Sequence, residues 1–194
     1  MYSKSFLVYL FVLFLVTAVF GSKDNKDSLI LVLRTTDIPS EKIVILNKLA
    51  KAFVTDDAVR SENYASQALF ISKSIENVRG KSEAYYNLGL LAYNKNQYDK
   101  STDYLLKAEE GFNALNDEKW LAKVYLLLSD EYKRNLEYEK AINVLFDAME
   151  TFKKLGKLNK LAETYNAIGG NYYDQGNYEK AYEFYVNSLD VYKE

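Results

Sequence analysis

Two pairs of adjacent carboxylates, Asp56-Asp57 and Glu109-Glu110, and a glycine group at Gly169, Gly170 and Gly176 are the residues that first suggest chemistry. Neither set has the spacing its chemistry needs. A general acid and base must converge on one substrate atom, whereas neighbours on a helix point apart. A phosphate loop needs Gly-x4-Gly-Lys-[Ser/Thr], and no Lys-Ser or Lys-Thr follows these glycines. The glycines read instead as helix packing and a turn, and the carboxylates as a solvated face. No Asp- and Asn-rich calcium loop ending in Glu is present. The chain has no cysteine and no histidine. Disulfides, thiol nucleophiles, Cys/His zinc sites and the usual neutral-pH base are thereby excluded. No set of nucleophile, base and stabiliser can be named, so the sequence reads as non-enzymatic, with no cofactor and no metal.

The 18 tyrosines offer stacking surfaces, but most fall at periodic positions and read as interhelical packing. Trp120 stands at the start of a predicted helix, where it is expected to seal a joint between repeats. The formal net charge is -2 and Lys and Arg form no cluster. A nucleic-acid footprint and a polybasic membrane patch both need such a cluster. Apolar residues make up 48% of the chain and charged residues 27%, the balance of a folded domain. Pro39 is the one proline, so helices can run with few interruptions.

Lys4, an apolar run from Phe6 to Phe20, small residues at Val19 and Gly21 and a polar continuation at Ser22 have the layout of a secretory signal peptide over residues 1–21. The run is short for a membrane span, which favours cleavage after Gly21 over a retained anchor. Export is expected, to the periplasm or envelope, with membrane contact only through this segment if it is uncleaved. Residues 22–40 read as a linker with a short capping helix near 27–35, where an apolar run leaves strand and helix both open.

The elements behind these residues follow from internal repetition. Gly89, Ser129 and Gly169 recur every 40 residues, each four residues after Tyr85, Tyr125 or Tyr165 and directly preceded by an aliphatic residue, Leu88, Leu128 or Ile168. Ser101, Ala141 and Ala181 come twelve residues later; Leu105, Leu145 and Tyr185, then Ala108, Ala148 and Ser188, complete the unit. Small side chains let paired helices approach, and the larger ones between them fill the gaps. Polar turns at 94–97, 134–137 and 174–177 separate the helices. First helices are predicted at about 81–94, 119–134 and 159–173, second helices at 98–113, 138–154 and 178–193. Four repeats are read, about 41–79, 80–118, 119–158 and 159–194, the first half of the first being blurred.

The pattern Tyr165-x2-Ile168-Gly169-x2-Tyr172 … Ala181-x3-Tyr185, with Tyr125-x2-Leu128-Ser129-x2-Tyr132 … Ala141-x3-Leu145 and Tyr85-x2-Leu88-Gly89-x2-Ala92 … Ser101-x3-Leu105, resembles the tetratricopeptide signature over residues 41–194. The period of 40 resembles an extended variant of that family. The likeness implies an all-α, right-handed solenoid of about four helix-turn-helix repeats whose first helices line a concave groove for a protein or peptide. Carried over by position, that groove takes Tyr86, Leu90, Tyr93 and Asn94; Lys123, Leu126, Asp130, Lys133 and Arg134; and Glu163, Asn166, Gly170, Tyr173 and Asp174. The array also resembles the exported sensor region of bacterial tetratricopeptide signalling proteins, with a stand-alone envelope scaffold or assembly factor as the alternative. In the last helix, Tyr178, Ala181, Tyr185 and Tyr192 are expected to pack inward, while Tyr182, Val186 and Leu189 face outward. Further repeats or self-association are expected to cover that outward face.

Overall fold

A computed structural model describes residues 26–193, and these residues contain helices joined by turns and no strand. The signal-peptide expectation for residues 1–21 lies outside the described residues. The helices are α1 (Lys26–Thr35), α2 (Pro39–Phe53), α3 (Ala58–Ser74), α4 (Val78–Asn94), α5 (Tyr98–Ala114), α6 (Glu118–Arg134), α7 (Tyr138–Lys154), α8 (Leu158–Asp174) and α9 (Tyr178–Lys193). Residues 27–35, left open between strand and helix, thus lie in α1. None of the described helices is long and apolar enough to cross a membrane.

The 40-residue period has a local cause. Helices α3 to α8 each have 17 residues and each is followed by a three-residue turn. Every turn carries one residue at positive φ, at Glu76, Asn96, Asn116, Leu136, Gly156 and Gly176. The amide after each of these donates back into the finished helix: Asn77 to Ser72 O at 2.8 Å, Asp117 to Phe112 O at 3.0 Å, Glu137 to Tyr132 O at 2.8 Å. This left-handed closure satisfies carbonyls that the helix end would otherwise leave bare. At Asn77, Asp117 and Asn177 the same residue then caps the next helix with its side chain, and Asp57 does so ahead of α3. Asp57, Asn77, Asp117 and Asn177 accept hydrogen bonds from the amides of Arg60, Gly80, Trp120 and Lys180. A stop and a start folded into three residues make two helices fill 40 positions. The caps at Asn77 and Asp117 also explain why α4 and α6 begin three residues and one residue ahead of the predicted starts; α8 begins one residue ahead, at Leu158, with no side-chain cap.

The chain divides into two compact units, one ending at Asn87 and the other starting at Leu88, within α4. In the first, Pro39 opens α2, where its missing N–H costs nothing. Leu29, Val32, Ile45, Leu49 and Phe53 form one core cluster, and Leu46, Ala68 and Ala84 another. The Phe53 and Tyr64 rings stack at 5.8 Å. The buried Asn47 donates to Gly80 O at 3.0 Å, and Asn87 Nδ2 donates to Asn47 O at 3.0 Å. Two asparagines one repeat apart thereby pin α2 to α4. A Cβ on Gly80 would lie 2.3 Å from Ile43 Cγ2, a close approach the repeat pattern did not single out.

In the second unit the recurring small residues lie where helices touch. A Cβ on Gly89 would meet Leu105 at 2.9 Å, and one on Gly169 would meet the Tyr185 ring at 2.9 Å. Ser129 is buried and turns its hydroxyl to Leu126 O at 2.8 Å. Ala108, Ala148 and Ser188 are also buried. The Phe112 and Trp120 rings stack at 5.0 Å, so Trp120 is packing material. Phe184 gathers Phe146, Tyr165 and Tyr172 at 5.6–6.2 Å. The last helix departs from expectation. Ala181 and Ser188 are its buried residues, while Tyr178, Tyr185 and Tyr192, expected to pack inward, are exposed, although the Tyr185 ring still lies against Gly169. Tyr178 leans instead on Tyr173 with ring centroids 5.2 Å apart. Tyr182 and Leu189 are exposed, and Val186 is half-buried.

Candidate partner-binding site

The last turns of α6 and α8 and the last turn of α4, all in the second unit, bring a group of polar and aromatic side chains together. Tyr93 OH donates to Asp130 Oδ2 at 2.9 Å. Lys133 Nζ lies 2.9 Å from Asp174 Oδ2. The Arg134 guanidinium sits 4.1 Å over the Tyr98 ring, and the Tyr93 and Tyr98 rings meet edge to face at 6.2 Å. Tyr93, Asp130, Lys133, Arg134, Leu136, Tyr138 and Asp174 line a depression of about 480 Å³. Burial, and then the Asp130 charge, push the Tyr93 phenol up, so it stays a donor. The Tyr93 hydroxyl in turn raises Arg134. Lys133 and Arg134 end α6, where the partial negative charge of the helix terminus favours cations.

Leu136 stands apart within this group. It holds φ 60° and is 71% exposed. Asn and Gly fill four of the other five positive-φ turn positions, because they tolerate the left-handed region. A branched apolar residue there costs both backbone strain and exposure.

The predicted groove residues divide. Tyr93, Asp130, Lys133, Arg134 and Asp174 share the depression. Asn94 and Asn166 are exposed, and Leu90 is half-buried, beyond its lining. Tyr173 is exposed and tied to Tyr178. Gly170 keeps room for Lys133, whose Nζ would be 3.4 Å from an added Cβ. Lys123 lies instead 3.7 Å over the Trp120 ring, and Glu163 pairs with Lys160 along its own helix. Two placements differ from a solvent-facing groove. Leu126 packs against the cluster of Ala122, Ala148, Phe152 and Leu161. Tyr86, in the first unit, is 8% exposed; α4 is held against α2 at this level by the neighbouring Asn87. Leu136 and Tyr138 were missed as site residues. The signal available for Leu136 was a leucine in a turn position where the next repeat has Gly176.

These features define an all-α helical repeat of the tetratricopeptide type. Solved structures share it: BtubC from P. vanneervenii (18% identity, TM-score 0.73, covering 86% of this chain and 70% of that one), a Rap protein complexed with competence and sporulation factor (21%, 0.74, 86% and 48%), and MamA (20%, 0.62, 87% and 86%). The chain thus spans about half the length of the Rap protein. At family level the assignment is specific: residues 54–194 match the soluble NSF attachment protein model, SNAP, and the chain belongs to that family. No curated protein sequence matches it.

Proposed function

We propose that the second unit binds a partner polypeptide at the ends of α4, α6 and α8, without catalysing a reaction on it. The exposed Leu136 carries this reading. A left-handed, water-facing leucine is retained at a cost to the free protein, and a partner that buries it recovers that cost. Around it, Tyr138 and Tyr98 offer aromatic surface, while Lys133–Asp174 and Tyr93–Asp130 offer both charges in a fixed register. A peptide with one apolar anchor flanked by charged or amide groups fits this arrangement. The titratable groups are tied in pairs, which suits recognition. Relatives named for attachment, and a neighbour crystallised with a factor, support a binding role.

We further read residues 1–21 as directing export, with the array serving as the sensory or scaffolding part of an envelope signalling protein. A stand-alone envelope scaffold is the second reading, favoured if no membrane segment accompanies the array in the gene. The α9 face of Tyr182, Val186 and Leu189 is taken as a seat for one more helix of the repeat's first-helix kind, because the equivalent Met149 packs with Leu161 and Tyr165 of such a helix.

Affinity capture followed by mass spectrometry identifies the partner; titration then compares wild type with Leu136→Gly and with Lys133→Glu/Arg134→Glu. Each variant is expected to weaken binding about tenfold or more. Unchanged affinity in both would remove the site. Export is checked separately by sequencing the mature N-terminus from fractionated cells.

A further inference from the structure

Helix α3 reverses the surface chemistry of the other second helices. Val59 and Phe70 are 78% and 75% exposed. At the first position the later repeats have Asp99, Glu139 and Glu179; at the second they have Glu110, Glu150 and Asp190. Six carboxylates in three repeats are thus replaced by two apolar side chains in the first. Between them the change runs the other way: Ser66 stands where Leu106, Phe146 and Val186 stand. Val59, Asn63, Ser66 and Phe70 are spaced 4, 3 and 4, which puts all four on one face of the helix. Asn63, Ser66 and Phe70, with Gln67 and Ile71, border a shallow depression of about 540 Å³, and Val59 lies one turn before it. Asn63 accepts a hydrogen bond from Gln67 on the helix surface. The stripe contains no charge.

We propose that this face is a homodimer contact, taking α3 of a second copy in antiparallel fashion. The argument is its symmetry. An isologous contact must be its own complement under a two-fold rotation. The 4-3-4 spacing is unchanged when read backwards, so Val59 falls opposite the second copy's Phe70, and Asn63 opposite the second copy's Ser66. Apolar groups meet at both ends, and an amide meets a hydroxyl in the middle. Ser66 near the axis is small enough for close helix approach. None of the four side chains is charged, so a second copy meets no repulsion along the stripe.

Sedimentation velocity of the full chain through the micromolar range tests this. Wild type is expected to dimerise, and Val59→Glu/Phe70→Glu to raise the dimer dissociation constant about tenfold or more. The variant restores residue types that the repeat already carries on α7, and both side chains are exposed, so its thermal unfolding should match wild type. Tyr182→Glu/Leu189→Glu, on α9, should leave the dimer intact. A wild type that stays monomeric overturns the proposal, as does a Val59→Glu/Phe70→Glu variant that associates as strongly. Register is read by disulfide trapping, which is clean because the chain has no cysteine. Mixed Asn63→Cys and Ser66→Cys chains should cross-link faster than either alone; equal rates would overturn the antiparallel pairing.

Discussion

Single residues carry two costs that substitution can remove. Leu136 at φ 60° lies in a region that disfavours side chains with a Cβ by about 1–2 kcal/mol. Leu136→Gly should therefore stabilise the free protein by about 1 kcal/mol in denaturant unfolding, after the entropy cost of glycine is deducted. The same substitution that weakens partner binding should thus strengthen the fold, a pairing that separates recognition from structural damage. Glu131 is the second case. Its carboxyl is buried on α6 near Ser101, one oxygen lacks a partner, and burial raises its pKa. An acid whose folded pKa exceeds its unfolded value destabilises when ionised. Stability is full below the unfolded value near 4.5, declines as pH rises through the interval up to the raised folded value, and stays reduced above it. Asn171 holds the same position one repeat later as a neutral amide. Glu131→Gln should raise stability by about 1 kcal/mol at pH 7 and leave it nearly unchanged at pH 3, read from urea midpoints at the two pH values.

Between helices, the two recurring glycines differ in what faces them. Leu105, against Gly89, is fully buried and cannot give way. Tyr185, against Gly169, is partly exposed, so its ring can swing outward. Alanine gains about 0.5–1 kcal/mol over glycine inside a helix, while forcing a packed core apart costs about 1–3 kcal/mol. Gly89→Ala should therefore destabilise by about 1 kcal/mol or more, and Gly169→Ala, whose added Cβ would still meet the Ala181 carbonyl at 3.2 Å, should cost less in the same melts. These helix pairs were legible in the sequence because a small residue and its large partner recur at fixed spacing, and repetition separates packing from chance. The helix starts at Asn77 and Asp117 were less legible: a cap residue also serves as the last residue of a turn, and the pattern alone does not assign it. Tyr86 was placed in the groove by position, but whether an aromatic on a first helix is wet depends on the helix beside it. Leu136 escaped because a lone leucine in a polar turn resembles filler until its backbone angle is known. The α3 face escaped for the opposite reason: exposed Val59 and Phe70 continue an apolar helical pattern and become anomalous only when aligned with the acids of later repeats.

Across the whole chain, burial is uneven, and local stability should follow it. Helix α2 buries Ile43, Ile45, Leu46, Asn47, Leu49, Ala50 and Phe53, whereas α9, of similar length, buries Ala181 and Ser188. In repeat arrays each helix is held mainly by its neighbours, so an uncovered face lowers local rather than global stability. Each large apolar side chain taken from water contributes about 1.5–3 kcal/mol, and α9 leaves Tyr182 and Leu189 wet. Native-state hydrogen exchange should show α9 amides opening at a free energy lower than those of α2 by at least about 2 kcal/mol. Adding a ligand helix that seats on α9 should raise its protection while leaving α2 unchanged. If α9 is as protected as α2 in the isolated protein, its outward face is already covered in solution. The Tyr182→Glu/Leu189→Glu variant then decides by what: protection lost together with a drop in sedimentation coefficient means another copy, and protection lost without one means a segment of the same chain.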